Sequence, residues 1–185
     1  MATTPSRKTV FVTVGTTRFD ALIEAMDTQE VADVLVARGF THLVMQVGNA
    51  ARQRSRLLAE GFEKAGTLSN GLGVAWFDYS PTLAATIRDA ALVISHAGAG
   101  SAFETLAAGV PLVVVPNPLL MDDHQAELAR KLEAMGVLFA ARLDTLPEIL
   151  KSADFGSLAP YEPGDARPIV EAVDALVGRQ AGKAE

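Results

Sequence analysis

Residues 90–101 constrain what this chain can fold into more than any other stretch. Ala90-Ala91-Leu92-Val93-Ile94 is a short unbroken apolar run, the pattern of a parallel strand covered on both faces. Ser95-His96-Ala97-Gly98-Ala99-Gly100-Ser101 follows it directly. Small residues in such a loop let backbone N–H groups approach a bound anion. A helix beginning near Ala99 or Gly100 aims its unpaired amides and positive dipole end at the same place.

The rest of the chain repeats the theme of strand, loop and helix. Thr9 to Val14 is a β-branched run ended by Gly15-Thr16-Thr17, and Phe19 to Arg38 carries Leu22, Ile23, Met26, Val31, Val34 and Leu35 at helical spacing. Leu43 to Val47 reads as a second strand closed by Gly48-Asn49, with a helix predicted over Arg52 to Ala65. Gly73 to Phe77 is a third strand, after which Ser80 is placed to cap a helix with Pro81 at its first position. Ala102 to Ala108 is a helix stopped by Gly109, Leu112 to Val115 a buried strand, and a helix capped by Asp122 or Asp123 runs to Met135. Val137 to Ala140 is a last strand, and from Leu143 onward two helices flank a Pro/Gly link at Pro160 to Gly164. Strands alternating with helices through short connections predict an α/β fold, a Rossmann-like parallel sheet with helices on both faces.

Length and charge narrow the function classes. With 185 residues, against roughly 150 per domain, residues 9–180 are expected to form a single domain, residues 1–8 a flexible N-terminal segment and residues 181–185 a tail. No apolar run approaches the roughly 20 residues that cross a bilayer. A net charge of −6 argues against nonspecific nucleic-acid binding, and Arg52, Arg54 and Arg56 read as a solvated helix face. The chain has no cysteine, and His42, His96 and His124 have no metal-ligand spacing; neither a metal nor a cofactor is expected. Met1 to Lys8 lacks the apolar core of a signal peptide, which makes the cytoplasm the expected location.

In an open parallel sheet, ligands bind outside the carboxyl ends of the strands. Gly15-Thr16-Thr17, Gly48-Asn49, Asp78-Tyr79-Ser80, His96 to Ser101 and Asn117 to Gln125 all follow strands and so share that edge. Ser101 adds a hydroxyl to the anion loop. Glu104, one turn on, is far enough from a phosphate to accept hydrogen bonds from ribose hydroxyls, so the spacing suggests a nucleotide. Three familiar sites are disfavoured. Phe103 occupies the third glycine position of a G-x-G-x-x-G dinucleotide fingerprint, and neither G-x-x-x-x-G-K-[ST] nor G-x-S-x-G is present.

His96-x-Gly98-x-x-Ser101-x-x-Glu104, then Gly109-Val110-Pro111, Pro116 and Asp123-His124-Gln125, resembles the donor-binding signature of GT-B glycosyltransferases that use UDP-sugars. Within them, Phe11 to Asp20, Gln46-Val47-Gly48-Asn49, Ser95 to Ser101 and Met121 to Gln125 are similar to the small catalytic subunits of the eukaryotic UDP-GlcNAc transferases, which carry a glycosyltransferase family 28 C-terminal domain. The likeness runs from about Val10 to Val137. Bacterial exopolysaccharide glycosyltransferases split into two subunits look similar too, and a non-catalytic nucleotide-sugar binding module is a third reading.

The resemblance implies a chain equivalent to the C-terminal half of a GT-B enzyme. A membrane-anchored partner then supplies the acceptor-side domain and recruits this chain to the cytosolic face of the endoplasmic reticulum, forming a heterodimer. The implied reaction is inverting transfer of the second GlcNAc from UDP-GlcNAc to dolichyl-diphosphate-GlcNAc in N-glycan precursor synthesis. The amides around His96, Ala97, Gly98, Ala99 and Gly100, with Ser101, would hold the diphosphate, and Glu104 the ribose. Tyr79 and Ser80 lie where relatives contact uracil, and Gly15, Thr16 and Thr17 face phosphate or sugar across the cleft. Gln125, with Asp122 or Asp123, would hydrogen-bond the sugar, one aspartate serving as ligand and the other as helix cap. His124 reads as a surface histidine. His96 is a candidate general base, but the resemblance places that base on the partner. Pro168 to Val177 presents Ile169, Val170, Val173, Leu176 and Val177 on one helical face, either to the partner or to the chain's own core.

Overall fold

The structure, a computed structural model, describes residues 7–50, 55–58, 64–80, 82–119, 124–162 and 164. Its strands are β1 (Thr9–Thr13), β2 (His42–Gln46), β3 (Ala65–Thr67), β4 (Gly73–Phe77), β5 (Leu92–His96), β6 (Leu112–Val115) and β7 (Phe139–Ala140). They form one sheet in the order β3-β4-β2-β1-β5-β6-β7. Every pairing is parallel except β3 against β4.

The helices are α1 (Asp20–Met26), α2 (Gln29–Ala37), α3 (Leu83–Arg88), α4 (Ala99–Ala107), α5 (His124–Ala134) and α6 (Leu146–Ser152). Because side chains alternate along a strand, Val10 and Val12 of β1 enter one core and Phe11 the other, all fully buried. The first core takes Leu22 of α1, Leu35 of α2 and Leu150 of α6. The second takes Ile87 of α3, Leu106 of α4 and Leu132 of α5. Full burial of each such side chain stabilises by about 1.5–3 kcal/mol. The expected Rossmann-like sheet, with helices on both faces, is therefore present. Chain order runs outward from β1 through β2 and β4 on one side and through β5 and β6 on the other. The crevice at this switch of direction, outside the carboxyl ends of β1 and β5, is where such sheets bind ligands.

Several predicted elements differ. The helix expected over Phe19 to Arg38 is two helices, because Asp27 leaves helical geometry (ψ 52°). Its buried carboxylate accepts hydrogen bonds from Ser55 Oγ and the Arg56 amide. Thr28 Oγ1 then accepts from the Val31 amide, 3.3 Å away, and caps α2. In the helix expected over Arg52 to Ala65, the described residues Ser55–Leu58 are non-helical and Ala65 opens β3. Thr82, not Ser80, stands at the N-cap of α3, while Ser80 Oγ accepts from the Thr82 amide at 3.2 Å. The strand expected over Val137 to Ala140 is only Phe139–Ala140, and α6 is followed by a 3₁₀ turn, Phe155–Ser157. Pro81, the basic residues Arg52 and Arg54, the segment Pro168 to Val177 and the tail lie outside the described residues.

Candidate functional site

The floor of the crevice is a row of residues in register across the sheet. Phe77 pairs with Gln46, Gln46 with Thr13, Thr13 with Ser95, and Ser95 with Val114. Three members of this row are polar and fully or almost fully buried, so each requires a hydrogen-bond partner. Gln46 has four. Its Oε1 accepts from Thr13 Oγ1 (2.6 Å) and the Gly15 amide (3.1 Å). Its Nε2 donates to the carbonyls of Gly15 (2.8 Å) and Asp78 (3.0 Å). The loop after β1 and the loop after β4 are thus fastened to one carboxamide on the strand between them.

Gly15 adopts φ +59°, a conformation that costs residues with a Cβ about 1–2 kcal/mol. Space imposes a second requirement. A Cβ built on Gly15 would lie 2.6 Å from His96 Cε1, and one built on Gly98 would lie 2.3 Å from His96 Nε2. The imidazole is therefore held between two glycine backbones, one from each loop flanking the switch point. Burial pushes the His96 pKa below its usual value, opposed by the Thr13 backbone carbonyl. Nδ1 has no partner of regular hydrogen-bond geometry, so we read the carbonyl's influence as electrostatic. The ring is neutral near pH 7.

Gly98 also stands at the N-cap of α4, where no side chain caps the first-turn amides. The open end of this nine-residue helix carries the partial positive charge of its dipole. Helical periodicity sends Ala102, Thr105 and Leu106 into the core and leaves Gly100, Ser101 and Glu104 along the crevice. The result is a cleft of about 420 Å³, walled by Gly15 and Thr16, by Tyr79, Ser80 and Leu83, and by the His96 to Glu104 segment, with Gln46 beneath. Amides and a helix end suit an anion on one side, and the half-exposed Tyr79 ring offers a flat apolar surface on the other. Among the described residues, Glu104 is the one carboxylate bordering the cleft.

The fold brings Gly15, Thr16, Tyr79, Ser80, His96, Gly98, Gly100, Ser101 and Glu104 together around this cleft. Four other predicted site residues do not border it. Thr17 turns its hydroxyl to the Val14 carbonyl at 2.8 Å, Ala97 is buried in the second core, and Ala99 is exposed on the first turn of α4. Gln125 lies at the start of α5, its buried Oε1 without a hydrogen-bond partner among the described residues. Asp122 and Asp123 are outside the described residues. Sequence reasoning missed the role of Gln46, which it placed inside the strand expected over Leu43 to Val47, whereas β2 ends at Gln46. A polar residue interrupting an otherwise apolar run near a ligand-binding edge was the signal available.

The profile of the glycosyltransferase family 28 C-terminal domain matches residues 9–176. The chain is 44% identical over 147 residues to UDP-N-acetylglucosamine transferase subunit ALG13 of Homo sapiens, a match that takes in 78% of this chain. It spans only 12% of that human protein's length. With the protein of the same name from Eremothecium gossypii it shares 33% identity over 191 residues, 93% of this chain and 94% of the other. Among solved structures, the NMR solution structure of ALG13 is similar at TM-score 0.65 and 28% identity, over 91% of this chain and 95% of that one. MurG of Acinetobacter baumannii is similar at TM-score 0.65 and 20% identity. That match covers 95% of this chain and 51% of MurG. The fold is that of the C-terminal domains of GT-B glycosyltransferases.

Proposed function

The chain belongs to the glycosyltransferase family 28 C-terminal domain family, and from that membership we propose that it is the UDP-N-acetylglucosamine-binding subunit of a two-chain glycosyltransferase. The observation that carries this reading is the uncapped N-terminus of α4 facing the Gly15 loop across the cleft, with Glu104 one turn further along. The diphosphate of the donor lies on the first-turn amides of α4 and on Ser101. The ribose hydroxyls donate to Glu104, and the uracil ring lies toward Tyr79.

In the proposed reaction an acceptor hydroxyl attacks the anomeric carbon, the bond from that carbon to the diphosphate oxygen breaks, and UDP leaves with inversion. Negative charge grows on the diphosphate as that bond breaks. Amides already in position stabilise it more in the transition state than in the bound donor. His96 is neutral, so the amides and helix end, rather than an imidazolium, meet this charge. The attacking hydroxyl must lose a proton. Glu104 is committed to the ribose and the His96 ring is held among the glycines of the leaving-group side, so the base comes from the partner chain.

We assign the acceptor as dolichyl-diphosphate-GlcNAc, the product as the N-glycan precursor bearing its second GlcNAc, and the partner as a membrane-anchored acceptor-domain subunit. The names of the relatives, which call them transferase subunits, support a divided enzyme. No helix among the described residues is long and apolar enough to cross a membrane; in this proposal the anchor belongs to the partner, at the cytosolic face of the endoplasmic reticulum. The test is co-expression with a chain resembling the acceptor half, followed by transfer assays with several UDP-sugars and lipid-diphosphate acceptors. GlcNAc transfer by the pair, with none by either chain alone, is expected. Equal turnover by this chain alone, or preference for a different UDP-sugar, overturns the assignment.

A further inference from the structure

We propose that Gln46 is the positioning residue that sets the spacing of the donor cleft, fixing the Gly15 loop after β1 and the Asp78 to Ser80 loop after β4 relative to each other through one side chain. The proposal rests on the UDP-sugar reading of the cleft and adds to it a residue that need not touch the donor's reacting atoms. Three observations lead to it.

Gln46 is almost completely buried at the carboxyl end of β2, yet its contacts are to neighbouring loops and strands rather than to its own. It both donates and accepts at Gly15, and it donates to Asp78, whose carbonyl also accepts from the Gly48 amide at 3.1 Å. Asp78 immediately precedes Tyr79 and Ser80 on the cleft wall. Gly15 in turn packs on the His96 ring, which packs on Gly98 at the mouth of α4. A shift at Gln46 is therefore transmitted to both walls through contacts with no slack.

The chemistry also selects the residue type. Two of the four partners are carbonyl oxygens and two are an N–H and an O–H, so the side chain must donate twice and accept twice. Only a carboxamide does both at neutral pH. Glutamate has the same shape but would set a carboxylate oxygen against the Gly15 and Asp78 carbonyls. Leucine keeps much of the volume and removes every hydrogen bond. In either variant the Gly15 carbonyl loses its donor and the Asp78 carbonyl keeps only the Gly48 amide, so the Gly15 loop must move to find a new donor.

The test is UDP binding by the full chain, measured by calorimetry for wild type, Gln46→Glu, Gln46→Leu, Tyr79→Ala and the Gln46→Leu/Tyr79→Ala double variant. If Gln46 acts by placing Tyr79, both Gln46 variants bind UDP at least about ten-fold more weakly. Tyr79→Ala then costs several-fold less in the Gln46→Leu background than in wild type, because contacting residues acting through one another are not additive. A residue that contributes only to global stability would not produce that coupling. For variants that fail to fold, the wild-type chain supplies the measurement: the Gln46 side-chain NH₂ resonances shift on saturation with UDP. Unchanged affinity in the variants, or losses that simply multiply, or NH₂ resonances unmoved by bound UDP, overturn the role of Gln46 while leaving the UDP-sugar reading standing. Absence of UDP binding by the wild-type chain overturns both.

Discussion

His96 and Gly15 meet without room for a methyl group between them: a Cβ on Gly15 would stand 2.6 Å from the imidazole Cε1. The contact joins the loop after β1 to the carboxyl end of β5 at the switch point of the sheet. Gly15→Ala must both displace the ring and hold alanine at φ +59°. The backbone part alone costs about 1–2 kcal/mol. Denaturant unfolding should show a loss of at least that size, and UDP affinity should fall with it. A variant as stable as wild type would mean that the ring is not confined as described.

The glycines of the anion loop separate space from backbone freedom. Gly98 has φ −74°, open to any residue, but its Cβ would meet His96 Nε2 at 2.3 Å, and the ring cannot retreat because Gly15 backs it. Gly100 has nothing within 4 Å of a built Cβ and sits in a helix, where alanine is favoured over glycine by up to about 1 kcal/mol. Gly98→Ala is therefore expected to destabilise, and Gly100→Ala to be neutral or slightly stabilising. Because Gly100 lines the cleft, Gly100→Ala should still weaken UDP binding. Thermal unfolding and UDP calorimetry on the two variants check both halves of this contrast.

The two described histidines with resolved shifts predict the sign of a pH effect. Burial lowers the His96 pKa below 6.5, and burial with the Arg7 charge does the same at His42. Below pH 6.5 the unfolded chain takes up protons that the folded chain resists, so stability is full above that value and falls as pH drops through it. Unfolding free energy should decline from pH 7.5 to 6, and less steeply in His96→Gln. A stability that rises on acidification in this window would contradict the assignment.

Much of this was legible beforehand, for physical reasons that differ by element. Leu92 to Ile94 and Leu112 to Val115 announce themselves because strands covered on both faces are apolar throughout. The Gly98 to Glu104 segment announces itself because an open helix end needs small residues. β3 did not, since Ala65-Gly66-Thr67 has no apolar run and is a strand only through pairing with β4. The break at Asp27 was equally hidden. Its cause is Ser55 and Arg56, far along the chain, and no local propensity reports such a partner. Gln46 belongs to a stretch that carries the family resemblance, but its role depends on the register that sets it between Thr13 and Phe77.

Asp27 itself gives a stability prediction independent of the cleft. Its carboxylate satisfies Ser55 Oγ and the Arg56 amide in a buried position, and orphaning such groups costs about 1–3 kcal/mol each. Asp27→Ala should destabilise by roughly 2–4 kcal/mol on that basis, while UDP affinity of the folded fraction stays within a few-fold of wild type. Urea titration paired with calorimetry below the unfolding midpoint checks both, and an unperturbed midpoint would show that the break between α1 and α2 does not depend on this carboxylate.

The central claim is that a nucleoside diphosphate lies between the Gly15 loop and the N-terminus of α4. A ¹H–¹⁵N titration of the full chain with UDP tests it most directly. The predicted result is saturable shifts concentrated at the amides of Gly15, Thr16, Tyr79, Gly98, Gly100 and Ser101. Those residues remaining still, with shifts instead along the apolar groove of Leu106, Val110, Phe155 and Tyr161 or nowhere, would contradict it.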